Sequence, residues 1–557
     1  MNTEQYRDEA KLQEPVGRVR SIHGSEVRIG LSIDNHPATG NGGNTTATVG
    51  KLLGIRRDQS LLVGIVSEIS VELPPRARED GYSALTSVDL MGEITYDGDM
   101  HFNRGVTHYP EIGDPAFLLG LRGLQAIYAA KGPGAIEVGY LQQDPTMAAS
   151  VDVNEMLNKH FAILGSTGMG KSSAVVLIVQ QILSARPDLR IFLLDHHNEY
   201  SHCFGDSALV VNLANLKLPF WLFTFEELLE VIYGGRPGSD EEVEILAELI
   251  PLAKGLYYRS QSTQPPIDRP TDPKSTGYTI DTPVPYWLHD LFALIEEQMG
   301  KLDSGRSSQA HYRRLITRIE AVSNDPRYAF MFAHANVGGD TMAEVLRHLF
   351  RLQPNGKPMT VMQLAGIPAE VQDVVVSVLC RMAFDFGLWS HGAIEQLLIC
   401  EEAHRYVSAD RSIGFQPTRR VLSRIAKEGR THGIFLGLVT QRPAEVDETI
   451  ISQCSTLFAM RMSNERDQRL VHAAASDAAA NLLRFLPSLG VREVLAFGAG
   501  MPLPTRFTFY QLPEHLVPRS EATSGLHFEA GLDDRLINLA IEKWRGAMTR
   551  GKSTRVD

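Results

Sequence analysis

Residues His160–Ser173 read HFAILGSTGMGKSS. The apolar run Phe161–Leu164 leads into a turn holding Gly165, Gly168 and Gly170, and a long apolar segment leaves it at Ala174. This order predicts a strand, a phosphate loop and a helix. Backbone N–H groups can close around phosphate oxygens only where side chains do not intervene, and glycines meet that need. The spacing Gly165-x4-Gly170-Lys171-Ser172 fits the Walker A pattern. Gly165, Ser166, Thr167, Gly168, Met169, Gly170, Lys171, Ser172 and Ser173 are therefore the expected ATP cradle. Lys171 would place a point charge on the β and γ phosphates, and the Ser172 hydroxyl would hold Mg²⁺. The new helix directs its positive end at the same anion.

A second motif follows downstream, where Gln396–Cys400 (QLLIC) reads as a buried strand ending in Glu401 and Glu402. Paired acids at a strand end suit a Walker B site: Glu401 for the metal's water shell, Glu402 to polarise the attacking water. Such a pair can also be a helix N-terminus complementing its dipole. The complete phosphate loop upstream favours the catalytic reading.

The run Arg190–Asp195 (RIFLLD) reads as a parallel strand buried on both faces, with the polar stretch Asp195–Glu199 at its end. Ligands of open α/β sheets gather at such ends, so Asp195 and Glu199 could face the nucleotide. His196 and His197, adjacent and without a third ligand, read as polar loop residues rather than metal ligands. Gln441 closes another strand, Ile434–Val439, where an amide can sense the γ phosphate or hold water. Arg430, in KEGRTHG, is either a helix C-terminal cation or an arginine finger for a neighbour's nucleotide.

With 557 residues the chain is too long for one core and suggests roughly three folding units. Hydrophobic residues at 43% and charged ones at 22% are ordinary for a soluble globular protein. The four cysteines, Cys203, Cys380, Cys400 and Cys454, show no zinc spacing and are expected as reduced thiols of a cytoplasmic protein. The polar start, MNTEQYRDEAKLQEP, has no signal-peptide core, and no apolar run near the phosphate loop is long enough to span a bilayer. No membrane role is expected. A net charge of −12 speaks against a surface that coats nucleic acid throughout, yet allows a basic patch in a pore.

Residues from about 15 to 140 alternate short β-type runs with turns, predicting a small antiparallel barrel or sandwich with almost no helix. VDVNEMLNKH reads as a loop leading into the first motor strand. Segments 35–46 and 74–80 read as exposed loops. From about 220 to 350 apolar residues recur at helical spacing, as in Leu291, Leu294 and Ile295, with a Pro/Ser/Thr-rich mobile loop at 260–285. The expected organisation is α/β: residues 1–150 an N-terminal β-barrel for assembly, and 151–515 a RecA-like P-loop motor with a helical insertion at about 215–350. Residues 516–557 are a linker and a short amphipathic helix at 533–548.

In order, HFAILGSTGMGKS, LLDHHNEY, LLICEEAH, KEGRTHG, LVTQRP and LPSLGVREVLAFG after a β-rich module resemble the HerA family of hexameric DNA translocases, relatives of FtsK. The resemblance extends to about residue 512. It implies a homo-hexamer passing double-stranded DNA through a central pore. It also implies a partner effector: a NurA-like nuclease, an Mrr-type nuclease or a sirtuin-type NAD hydrolase. Carried over by position, Lys171 and Ser172 match the phosphate and magnesium residues, Glu402 the catalytic glutamate and Arg430 the trans-acting arginine. Two positions depart from the family pattern. Glu401 stands where the family has Asp, and Asn198 where it has Gly, which Asn tolerates if φ is positive.

The expectation is a Mg²⁺-dependent ATPase that translocates or unwinds double-stranded DNA in DNA processing or antiviral defence. Arg411, Arg419 and Arg420 are either contacts to DNA phosphates or residues with a solvated or inter-subunit role. The alternatives are an ATP-regulated platform that activates a partner enzyme, and a conjugation-type secretion ATPase.

Overall fold

The structure is a computed structural model that describes residues 15–519 apart from 33–46, 58–59, 72–81, 98, 130–131, 262–276, 302–305, 334, 336–338 and 476–479. The loops expected at 35–46 and 74–80, most of the 260–285 loop and the helix at 533–548 lie outside the described residues. The chain forms two compact units, Met1–Pro187 with Gly437–Val517 and Asp188–Leu436 with Pro518–Asp557.

The first unit begins with β1 (Gly17–His23), β2 (Glu26–Ser32), β3 (Leu52–Arg57), β4 (Ser60–Ser70), β5 (Tyr82–Asp97), β6 (Asp99–Arg104) and β7 (Pro115–Leu118). All pairings are antiparallel, in the order β2-β1-β7-β3-β4-β5, and β2 returns to β5 to close a six-stranded barrel while β6 extends β5 outside it. Alternation in the strands puts Val19, Val27, Ile29, Ile55, Leu62, Val66 and Val88 into one core. Closure removes the exposed edges that a sandwich would leave.

Helix α1 (Leu121–Tyr128) follows, in a region expected to hold almost no helix. Its Gly123 weakens the local signal, and burial of Leu124, Ala126, Ile127 and Tyr128 supplies what propensity does not. Next come β8 (Ala135–Leu141) and β9 (Ala148–Asp152). VDVNEMLNKH also departs from its reading as a loop. Asp152 Oδ1 accepts from the N–H groups of Asn154 and Glu155 at 2.9 and 3.1 Å and so starts α2 (Val153–Leu157). Then follow β10 (His160–Leu164) and α3 (Lys171–Ala185), the strand and helix expected around the phosphate loop.

The second unit holds β11 (Arg190–Asp195), the short strand β12 (Ala208–Val211), the insertion helices α4 (Phe225–Tyr233), α5 (Asp240–Gln261), α6 (Leu288–Lys301), α7 (Arg306–Ser323) and α8 (Met342–Leu349), then β13 (Met359–Gln363), α9 (Ala369–Trp389), β14 (Gln396–Cys400) and α10 (Gln416–Glu428). Its strands run parallel in the order β12-β13-β11-β14. Their near-complete burial explains their unbroken apolar runs.

Strand β15 (Ile434–Thr440) carries the chain back to the first unit, followed by β16 (Cys454–Met460), α11 (Glu465–Ala474), β17 (Glu493–Gly498) and β18 (Thr505–Phe509). In that unit β10 lies parallel between the end of β15 and β16, and the sheet continues antiparallel through β17, β18, β8 and β9. β8 thus bonds to β18 rather than to the barrel strands that precede it in sequence. All four cysteines are buried and none forms a disulfide, and among the described residues no helix is long and apolar enough to cross a membrane.

Two buried charges organise the insertion. Lys254 on α5, 2% exposed, donates to the carbonyls of Ile280 and Thr282 at 2.6 and 2.7 Å, which fixes the described end of the 260–285 segment expected to be mobile. Glu227 closes a capping box with Thr224 at the start of α4 and accepts from Arg381 Nη2 of α9 at 2.9 Å and from Ser377 Oγ at 2.8 Å. Its side chain is 1% exposed. Arg381→Met strands that buried carboxylate, and urea unfolding is expected to show a loss of about 3–5 kcal/mol, partly recovered when Glu227→Gln is added.

Candidate nucleotide site

In the first unit, Phe161–Leu164 of β10 pairs with Gly437–Thr440 and with Thr456–Ala459. The loop that follows is tied to its neighbours by backbone bonds: Gly165 N–H to the Thr440 carbonyl at 3.3 Å, Ser166 N–H to the Arg461 carbonyl at 2.9 Å, and Arg492 N–H to the Met169 carbonyl at 3.0 Å. Gly168 and Gly170 take φ of 77° and 100°, and a Cβ on Gly165 would come within 2.7 Å of Met460 Cβ. Side chains are thus excluded for two reasons, conformation and space.

Helix α3 starts from Gly170 with no side-chain cap. Over fifteen residues its dipole therefore presents an uncapped positive end. Lys171 Nζ donates to the Ser166 carbonyl at 3.1 Å, Ser172 and Ser173 are half-buried, and Thr167 is exposed. The Thr167 hydroxyl bonds to Gln441 Oε1. Gln441, read from sequence only as a strand-end amide, thus belongs to the rim of the phosphate loop. Glycines, an uncapped helix and one lysine are the donor set that a polyphosphate requires, and the loop fits it.

In the second unit, β11 and β14 are adjacent, with Leu194 opposite Cys400. This register sets the turn after Asp195 beside Glu401. Asp195, fully buried, accepts from the N–H groups of Glu199 and Tyr200 at 3.0 Å each, so it holds the turn itself. Burial pushes its pKa up to about 6. Asn198 has φ of 55°, the left-handed conformation anticipated for it, and its Oδ1 accepts from Ala365 N–H at 3.3 Å.

Glu401 is buried, with Oε1 accepting from Tyr200 O–H at 3.0 Å and Oε2 from His196 N–H at 3.2 Å. Burial, then the charges of Asp195 and Glu199, push its pKa up to about 8. Carboxylates crowded into one low-dielectric place are what a divalent cation neutralises. The acidic environment of Glu401 therefore fits Mg²⁺. Among the described residues no three His, Cys, Asp or Glu side chains form a metal cage.

Glu402 has φ of 49° and is buried. A non-glycine residue there is strained, and such strain gathers where a side chain must be aimed. Its Oε1 lies 3.4 Å from His197 Nε2 and its Oε2 lies 3.3 Å from His404 Nδ1. His404 is off the line of a hydrogen bond, and Oε2 has no hydrogen-bond partner among the described residues. An unpaired buried acceptor is costly, and a water molecule would satisfy it.

Sequence reasoning missed the roles of both histidines, although the pair at the strand end was visible. His197 flanks Glu402, whereas His196 is buried against Tyr406, Gln372 and Arg405. Burial, then Arg405, pushes the His196 pKa down to about 4.

Arg430 is exposed on the short turn Gly429–His432 that ends α10. Arg420 pairs with Glu226, Arg419 is half-buried, and Arg411 lies exposed in the loop after Glu402. The second unit therefore gathers Asp195, His197, Glu401, Glu402 and His404, while the first gathers the phosphate loop and Gln441.

A buried strand, a glycine loop, an uncapped helix and a carboxyl pair closing a parallel strand define a RecA-like P-loop ATPase. Residues 136–383 match the family model described as Helicase HerA, central domain. A probable helicase of Methanocaldococcus jannaschii is 24% identical over 481 residues, covering 82% of this chain and 85% of that protein. The DNA double-strand break repair helicase HerA of Pyrococcus furiosus is 25% identical over 429 residues, covering 70% and 72%. The chain is similar to HerA-family helicases over most of its length. Among solved structures, VirB4 of Thermoanaerobacter pseudethanolicus is similar at a TM-score of 0.45 and 14% identity, covering 69% of this chain and 98% of that one.

Two outcomes follow from the geometry. Asn198→Val is expected to destabilise the protein by about 1–2 kcal/mol and Asn198→Gly to leave it near neutral in urea unfolding. For Glu401, the folded chain holds its proton up to about pH 8 against an ordinary 4.5. The resulting stability is full below pH 4.5 and is lost as pH rises through 8. Melting temperatures of the Mg²⁺-free protein across that range should fall more steeply than those of Glu401→Gln.

Proposed function

We propose that this chain is a Mg²⁺-dependent ATP-hydrolysing ring motor, a cytoplasmic homo-hexamer that translocates or unwinds double-stranded DNA with a partner nuclease or other effector. The observation that carries the hydrolytic part is Glu402: buried, strained, flanked by two histidines, and with Oε2 lacking a donor among the described residues. The DNA part is supported by the relatives named as helicases.

In this reading the phosphate loop wraps the β and γ phosphates with its N–H groups, and Lys171 leaves the Ser166 carbonyl to pair with them. Ser172 and Glu401 would hold Mg²⁺, which supplies charge neutralisation on the phosphates. Glu402 Oε2 accepts a hydrogen bond from the attacking water and orients it in line with the γ phosphorus. His197 and His404 keep that carboxylate in place. Gln441, joined to Thr167, senses the γ phosphate from the rim. Arg430, exposed at the end of α10, stabilises developing charge on a neighbouring subunit's nucleotide. Residues 1–150 serve assembly of the ring, and Arg411 is a contact to DNA phosphates, independent of base sequence and weakened by salt.

ATP hydrolysis by the purified protein, with and without linear double-stranded DNA at low and moderate salt, tests this reading. DNA should stimulate turnover, and salt should reduce the stimulation. Glu402→Gln should lower turnover by about 10²-fold or more while nucleotide binding persists. Arg430→Ala should lower it by about 10³-fold, and rings that mix Arg430→Ala with Glu402→Gln subunits should regain activity where the two intact groups meet. Turnover indifferent to DNA but raised by a co-purified enzyme would favour a platform that switches its partner.

A further inference from the structure

Away from these motifs, the second unit has a cleft of about 630 Å³ between the segment after β12, helix α8 and the loop that leads into β13. Its wall carries Lys217, Arg347 and Arg351, three permanent cations, against one carboxylate, Glu344. In a chain of net charge −12 this local excess is contrary to the general trend. Arg347 and His348 sit in the last turn of α8, where complementing the helix dipole would explain them. That explanation does not reach Lys217 or Arg351, which arrive from other segments.

Arg351 is fixed in place by its own loop. It adopts φ of 52°, and its Nε and Nη2 donate to the carbonyls of Lys357 and Pro354, both at 2.8 Å. Its Nη1 remains uncommitted among the described residues, and neither Lys217 nor Arg347 has an ion-pair partner there. Burial, then the charges of Arg351 and Lys217, hold His348 below its ordinary pKa, so these cations act on one shared space. Gln353 and Asn355 line the same cleft with amides that make no hydrogen bond among the described residues. Asn355 is also left-handed, at φ of 45°.

Convergent cations suit phosphate oxygens, and free amides suit the donor and acceptor edge of a base. We propose that this cleft binds a phosphorylated nucleotide, free or as a unit of a nucleic-acid strand, at a site separate from the phosphate loop. Lys217 and Arg347 take the phosphates, Arg351 presents its free Nη1 to them, and Gln353 and Asn355 bond to the base.

The test uses the full chain and two probes, fluorescently labelled ADP and a 5′-phosphorylated trinucleotide. The variant Lys217→Glu/Arg347→Glu changes two exposed side chains. Lys171→Ala weakens the phosphate loop independently. If free nucleotide is the ligand, labelled ADP should show two classes of site, one sensitive to Lys171→Ala and the other weakened at least about tenfold by Lys217→Glu/Arg347→Glu, as for loss of a charge-assisted bond. If a strand is the ligand, the trinucleotide instead should show that loss. The proposal is overturned if neither probe loses affinity in Lys217→Glu/Arg347→Glu, an outcome that leaves the phosphate-loop reading intact.

Discussion

A carboxylate buried at a strand end with one oxygen lacking a donor among the described residues is expensive, and several segments of the second unit hold one there. Glu402 pays a further penalty in its left-handed backbone. The surroundings that keep it in place are themselves constrained. His197 lies on a turn held by Asp195, that turn requires the positive φ of Asn198, and Asn198 in turn bonds to Ala365 after β13. Three parallel strands therefore contribute to the environment of one side chain. A site of this kind is stable only because the strands beneath it are packed on both faces.

The first unit solves a complementary problem. An anion-binding loop must leave N–H groups unpaired while its backbone stays in one conformation. Bonds from the ends of β15 and β16 and from Arg492 fix the loop from behind, so the glycines can stay open at the front. In the proposed reading, a polyphosphate binds with little reorganisation apart from the release of Lys171 from the Ser166 carbonyl. The acidic surroundings of Glu401 in the second unit and the positive helix end at Gly170 in the first are opposite electrostatic environments.

Much of the fold was legible because buried parallel strands and phosphate loops leave strong local signals. RIFLLD, QLLIC and the glycine spacing are examples, and each became the expected element. The elements that were misread, α1 and α2, and the one left unread, β12, have weak or contradictory local signals. Helix α1 contains a glycine, α2 has five residues, and β12 has four. Their stability comes from burial against distant segments, which periodicity does not record. The departure at Asn198 was legible for a different reason: few residues other than glycine and asparagine enter the left-handed region readily.

The sequence by itself determined the chemical groups: the glycine positions, Lys171, the paired glutamates and a helix-end Arg430. The glycines and Lys171 are dictated locally, by the conformations and charges of a phosphate loop. Only the tertiary structure decided which groups meet. His197 and His404 flank Glu402, and Tyr200 reaches Glu401, because β11 and β14 lie side by side with Leu194 opposite Cys400. Closure of the barrel through β2 and β5, and the meeting of Lys217 with Arg351, are of the same kind. Strand order and register arise from the simultaneous burial of whole faces, and no short stretch of sequence carries that information.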